Sequence, residues 1–64
     1  MSRLFRSGNL YAQIEIGRSL ACITVGGDLE HCHITDKREV DNAYKCMQVL
    51  QKEYPQLLPW KLVL

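Results

Sequence analysis

Apolar and polar residues alternate along the first half of the chain and then recur at a helical spacing. Between residues 10 and 35 the period is two, with interruptions at Gly17 and at Gly26-Gly27. From Asp36 to Tyr54 the apolar residues return every three to four positions. A period of two is typical of a strand with one buried face, and a period near 3.6 is typical of an amphipathic helix. The pattern therefore predicts a three-stranded antiparallel meander followed by one helix.

The three predicted strands are Leu10–Ile16, Ser19–Val25 and Leu29–Ile34, and each should bury one face. The residues expected to face the core are Leu10, Ala12, Ile14, Ile16, Ala21, Ile23, Val25, Cys32 and Ile34. The opposite face would carry Tyr11, Gln13, Glu15, Leu20, Cys22, Thr24, His31 and His33. A two-residue turn at Gly17-Arg18 would place Ile14 opposite Ala21. Burial of one face should enforce that parity, because a slip of one residue exposes the whole apolar set.

The predicted helix spans residues 36–54 and opens with a capping box, Asp36-Lys37-Arg38-Glu39, in which the Asp36 carboxylate accepts from the Glu39 backbone N–H. Pro55 should end it. The apolar stripe expected to pack on the sheet is Val40, Ala43, Tyr44, Met47, Leu50 and Tyr54. Val49 falls on the polar face, and Cys46 lies at the flank of the stripe as a small core residue.

The two ends of the chain differ in character. Residues 1–9 contain Arg3 and Arg6 and no acid, which predicts a basic flexible arm. Residues 55–64 are too apolar for a solvated end. They should fold back under the helix, form a fourth strand at a sheet edge, or pair with a second chain. The predicted fold is a small α+β two-layer sandwich in a single domain, residues 1–64.

Size and charge narrow the function classes. A domain of 64 residues buries only about 60% of its unfolded surface, so a deep substrate cleft is not expected and the chain is predicted not to be an enzyme. The formal net charge of +1 argues against strong, delocalised attraction to nucleic acid or to an anionic membrane.

The three cysteines, Cys22, Cys32 and Cys46, have an odd count and a spread spacing that do not suggest a disulfide framework. The first nine residues lack the apolar core of a secretory signal, and no apolar run approaches the roughly 18 residues of a membrane span. These features predict a cytoplasmic protein with no membrane association.

His31-Cys32-His33 is the local cluster whose side chains are most able to bind a metal or take part in catalysis. Two histidines two positions apart share one strand face, and Cys22 falls on that face by parity, so a zinc site or a cysteine–histidine nucleophile pair is geometrically conceivable. The chain lacks a CxxC pair, a GxGxxG loop and a Walker pattern. We therefore expect no cofactor and no metal, with both histidines on a half-exposed strand.

The surplus of apolar residues favours a non-enzymatic protein-binding module that regulates or inhibits a larger protein. The predicted contact surface combines the open side of the sheet with the tail: Tyr11, Gln13, His31, His33, Trp60 and Leu62. The apolar tail also predicts self-association as a homodimer.

The alternative is a small nucleic-acid-binding protein. Arg3, Arg6 and Arg18 would contact phosphates, and Tyr11 would offer a ring for base stacking on the open sheet face. That function predicts an affinity that falls steeply with salt, whereas protein binding predicts a weak salt dependence.

Overall fold

The computed structural model describes residues 1–26, 32–57 and 59–64. It contains a five-stranded antiparallel sheet and one α-helix, which confirms the predicted α+β class. The elements are β1 (Ser2–Ser7), β2 (Leu10–Ile16), β3 (Leu20–Val25), β4 (His33–Asp36), a 3₁₀ turn (Lys37–Glu39), α1 (Ala43–Glu53) and β5 (Lys61–Leu62). The strand order is β4-β3-β2-β1-β5.

The topology places the helix on one face of the sheet. Strands β1 to β4 form a meander, so β4 is one edge, and the chain must cross the sheet to reach β5 at the other edge. Helix α1 lies in that crossing segment, and its buried side chains join the core. The core residues are Phe5, Ala12, Ile14, Ile16, Ala21, Ile23, Val40, Cys46, Leu50 and Trp60. We call the side of the sheet away from α1 the open face.

The N-terminal residues form a strand inside the sheet, so the prediction of a flexible arm was wrong. β1 pairs with β2 on one side and with β5 on the other. Phe5 is fully buried, and Gly8, with a φ of 61°, supplies the left-handed conformation in the two-residue turn that leads into β2. Because Leu4 and Phe5 are adjacent and both apolar, this segment shows no clear alternation. Only its pairing with β2 and β5 identifies it as a strand.

The hairpin between β2 and β3 keeps the predicted faces and changes the predicted register. β2 has the predicted bounds, but Ile14 lies opposite Ile23 instead of Ala21. The Gly17 N–H donates to the Leu20 carbonyl at 2.9 Å, which moves the turn from Gly17-Arg18 to the two residues that follow Gly17. A shift of two residues preserves the side-chain parity, so burial alone does not distinguish the two registers.

The prediction for the third strand of the meander was wrong in its faces. β4 spans His33–Asp36, and residues 29–31 of the predicted Leu29–Ile34 strand lie outside the described residues. Cys22 pairs with Ile34, and Ile23 pairs with His33. Cross-strand partners share a face, so Ile34 lies on the open face and His33 on the helix side. A short segment with one strongly apolar residue specifies its own parity poorly, and pairing with β3 decides it.

The predicted helix start at Asp36 was also wrong, because the Asp36 carboxylate pairs with Arg38 and does not cap an α-helix. Asp36 accepts from the Arg38 backbone N–H at 2.8 Å and from the Arg38 guanidinium at 3.0 Å. These bonds, the side-chain bond above all, lower the pKa of Asp36 from 3.8 to about 2. Glu39 instead accepts from the Thr35 hydroxyl at 3.1 Å, so no capping box forms. The 3₁₀ turn ends at Val40, whose side chain is buried in the core.

Asn42 is the residue that caps α1. Its side-chain oxygen accepts from the Lys45 backbone N–H at 2.9 Å, and its own backbone is extended. We expect Asn42→Ala to lower the free energy of unfolding by about 1 kcal/mol, measured by urea denaturation, because one N–H of the first turn loses its acceptor. Asn42→Asp keeps an acceptor and should stay close to the parent protein. An equal loss in both variants would show that capping is not the reason.

The helix turns most of the predicted stripe toward the sheet and departs from the prediction at Val49 and Tyr44. Cys46 is buried, as expected, and its Sγ donates to the Val40 carbonyl at 3.2 Å. Val49, predicted on the polar face, packs against the core, whereas Tyr44, predicted in the stripe, is 69% exposed. The helix ends at Glu53, as Pro55 predicts.

The C-terminal tail folds back on its own chain. Trp60 is 1% exposed, and its ring meets the Tyr54 ring edge to face, with centroids 6.3 Å apart. Lys61–Leu62 then forms β5 against β1, with Leu62 opposite Phe5. Two of the predicted fates for the tail are thus realised together: burial beneath the helix and a short strand at the sheet edge.

Candidate interaction surface

The open face carries large apolar side chains that no described element covers. The most exposed of them are Leu20 at 57%, Ile34 at 55%, Tyr11 at 46% and Val63 at 45%. Val63 follows β5 and donates its N–H to the Leu4 carbonyl at 2.8 Å, and its alternation with Lys61 places it on this face. The face is therefore apolar at both sides of the sheet.

Two of the predicted contact residues meet at the centre of this face. Tyr11 and Gln13 occupy alternate positions of β2 and point away from the core, as predicted. The Gln13 side-chain amide donates to the Glu15 carboxylate at 2.9 Å. The centre of the open face is thus polar and lies between the two apolar sides.

The other predicted contact residues do not belong to this surface. Trp60 is part of the core, so its assignment to a surface was wrong. His33 lies on the helix side, where its Nε2 is 4.0 Å from a Glu53 carboxylate oxygen. Leu62 shares the helix side with Phe5, and His31 is outside the described residues. Sheet pairing separates residues that sequence reasoning grouped together.

The residues proposed for nucleic-acid contact are also dispersed. Arg6 lies opposite Tyr11 on the open face. Arg3 lies opposite Ile14 on the helix side, where its Nε is buried and has no hydrogen-bond partner among the described residues. Arg18 lies in the turn after β2, at the far end of that strand from Tyr11. Only Arg6 and Tyr11 come together.

Cys22 and Cys32 form a disulfide, which the odd count and spread spacing of the cysteines did not suggest. Their Cα atoms are 5.9 Å apart, within the usual range for a disulfide. Cys22 belongs to the open face through its pairing with Ile34, and antiparallel pairing of β3 with the segment leading into β4 brings Cys32 beside it. A sequence separation of 10 gives no hint of this contact.

In the described residues, Cys22 and His33 do not come together as the conceivable zinc site or cysteine–histidine pair would require. The Cys22 sulfur is engaged in the disulfide, and His33 points to the opposite side of the sheet. Among the described residues, no three histidine, cysteine or acidic side chains cluster closely enough to hold a metal ion. Cys46 is the free cysteine of the described chain, and burial raises the pKa of its thiol.

Sequence reasoning missed three apolar members of the open face: Leu4, Ile34 and Val63. Leu4 sat in a segment interpreted as an arm, and Val63 in a tail of undefined pairing. Ile34 was assigned to the core because isoleucine is usually buried. The adjacent apolar residues Leu4 and Phe5 give no clear alternation, so no sequence signal places Leu4 outward, and its position opposite Gln13 does so only in the sheet.

Comparison of the chain with protein-family models, with curated proteins and with solved structures found no match. No helix in the described part of the chain has both the length and the apolar character needed to cross a membrane.

Proposed function

We propose that this protein is a non-enzymatic binding module that docks its open sheet face on a larger protein and regulates or inhibits that protein by occupying its surface. The observation that supports the proposal is the uncovered face itself. Four large apolar side chains, 45–57% exposed, lie on the side of the sheet opposite the helix. Removing apolar surface from water contributes about 25 cal/mol per Å² buried, so a partner that covers them gains binding energy.

The mixture of apolar and polar side chains on the open face suits a partner that folds independently of this chain. Ile34 lies directly opposite Cys22, and Leu20 lies two positions before Cys22 on the same face of β3, which makes the β3–β4 side the more apolar one. Gln13 and Glu15 supply polar groups at the centre. Interfaces between separately folded proteins combine apolar and polar area in this way, whereas obligate interfaces are more uniformly apolar.

Nucleic-acid binding has weaker support. Only Arg6 and Tyr11 of its four residues share a surface, and Glu15 lies on the same face, where it would repel phosphates. Affinity for a polyanion depends on the number of phosphates neutralised, and the formal net charge is only +1.

The test compares Ile34→Glu with Tyr44→Glu as bait variants in a lysate of the source organism treated with nuclease. Both side chains are more than half exposed, but Ile34 lies on the open face and Tyr44 on α1. We expect the parent protein and Tyr44→Glu to retain the same protein band and Ile34→Glu to lose it, because a buried carboxylate opposes docking. Unchanged thermal unfolding of both variants is the control for folding.

Equal retention by Ile34→Glu would contradict docking through the open face. Recovery that disappears after nuclease treatment would favour nucleic-acid binding instead. Self-association through the tail stays a prediction, and sedimentation of the parent protein at high concentration measures it.

A further inference from the structure

A cross-strand row at one corner of the open face places two cations side by side. Lys61 of β5 lies directly opposite Arg6 of β1, and Arg6 lies directly opposite Tyr11 of β2. Directly opposed residues of an antiparallel pair have Cβ atoms about 4.5–5.5 Å apart. Like charges in that relation destabilise a sheet.

The described structure provides no acid to neutralise this pair. Other cations of the chain do have acidic partners: Arg38 is 3.0 Å from Asp36, and Lys45 is 3.3 Å from Asp41. Within the described ranges, neither Arg6 nor Lys61 forms an ion pair or a side-chain hydrogen bond. The two charges therefore remain available to an external anion.

The corner also has space for a ligand. Arg6, Gly8, Pro59 and Lys61 line a surface pocket of about 380 Å³. Gly8 carries no side chain, and Pro59 contributes an exposed ring to the lining. An anionic group can enter between the two cations while the apolar part of its side chain contacts the proline.

We propose that this corner, formed by Arg6, Lys61 and the Gly8–Pro59 pocket, binds a carboxylate of an acidic residue on the protein partner. The inference rests on the proposed function and adds the chemistry of the partner: an acidic side chain next to an apolar surface. Arginine presents a planar fork that matches a carboxylate, and lysine adds a second charge.

A carboxylate fits this corner better than a nucleic-acid backbone does. Two cations neutralise one or two acidic groups, but a polyanion requires a longer basic track. Glu15 on the same face would oppose such a track. The exposed Val63 beside the corner suits the apolar surroundings of an acidic residue at a protein interface.

The experiment titrates the full chain with a capped hexaglutamate peptide and follows backbone amide chemical shifts. Hexaglutamine is the uncharged control, and oligothymidylate represents nucleic acid. The variants are Arg6→Gln and Lys61→Gln, with Lys52→Gln on the exposed side of α1 as the matched charge control.

We expect hexaglutamate, and not hexaglutamine, to shift the amides of Arg6, Gly8 and Lys61. Each corner variant should weaken binding about fivefold, and Lys52→Gln should leave it unchanged. The corner variants should also keep or raise the midpoint of thermal unfolding, because one of two like charges is removed. A purely structural role for these side chains predicts a lower midpoint instead.

Three results would overturn the inference: no shifts at the corner, equal weakening by Lys52→Gln, or tighter binding of oligothymidylate at the same amides. The failure of this inference is separable from that of the proposed function. If Ile34→Glu abolishes retention of the partner while Arg6→Gln and Lys61→Gln retain it fully, the corner site is wrong and docking through the open face stands. If the peptide binds the corner but Ile34→Glu still retains the partner, the carboxylate site at the corner stands and docking through the apolar part of the open face is wrong.

Discussion

Trp60→Ala is expected to leave the chain largely unfolded under conditions in which the parent protein is folded. Trp60 is 1% exposed and is among the largest fully buried side chains of the chain. Truncation of a buried tryptophan to alanine typically lowers the free energy of unfolding by about 3–5 kcal/mol. At roughly 0.05–0.15 kcal/mol per residue, a chain of 64 residues has a total of only about 3–10 kcal/mol.

The position of Trp60 makes the loss cooperative. Its ring packs edge to face on Tyr54, just beyond the end of α1, and the next residue begins β5. Loss of the ring therefore removes a contact that joins the helix end to the strand beside β1. Far-UV circular dichroism and urea denaturation measure the outcome without relying on tryptophan fluorescence, since Trp60 is the single tryptophan.

Two variants show whether burial of the ring is the cause. Trp60→Phe keeps an aromatic ring and removes the indole N–H, which has no hydrogen-bond partner among the described residues, so its loss should be clearly smaller. Leu64→Ala removes an exposed apolar side chain from the same tail and should be nearly neutral. A folded Trp60→Ala protein with a parent-like midpoint would contradict the assigned place of Trp60 in the core.

Reduction of the Cys22–Cys32 disulfide is expected to lower the free energy of unfolding by about 2–3 kcal/mol. A crosslink between residues 10 positions apart restricts the unfolded chain, and the loop-closure relation gives a value of that order for a loop of this length. Chemical denaturation of the parent protein with and without a reductant measures the difference.

The double variant Cys22→Ser/Cys32→Ser is the matched control, because its unfolding should not respond to the reductant. Alkylation under denaturing conditions counts the thiols: Cys46 alone should react before reduction, and all three cysteines after it. Superimposable denaturation curves of the parent protein in the two conditions would contradict a stabilising disulfide.

The sequence indicated burial of the tail that contains Trp60, but it did not indicate the Cys22–Cys32 disulfide. Trp60 belonged to an apolar tail whose folding back was one of its expected fates, although the residue itself was assigned to the contact surface. The disulfide was not expected, because Cys22 and Cys32 meet only through the register of β3 with the residues around β4. The local pattern of apolar and polar residues indicates which residues tend to be buried, whereas contacts between distant residues depend on which strands pair.

The same distinction explains the outcome for the predicted contact surface. Tyr11 and Gln13 were placed correctly, because β2 has a long, clean alternation between an apolar and a polar face. Trp60, His33 and Leu62 were grouped with them on weaker grounds. A predicted surface joins residues from several elements, and an error of one position in any strand moves a side chain to the other face.

The sequence by itself determined the α+β class, the bounds and faces of β2, the inward face of β3 and the end of the helix before Pro55. Each depends on a local cause: strict alternation, or a residue that cannot continue a helix. Only the tertiary structure decided that residues 2–7 form β1 and that Ile34 faces outward. It also placed Trp60 in the core and Lys61 opposite Arg6. Those features depend on which strands pair and in what register, and pairing between distant segments leaves little trace in a local pattern.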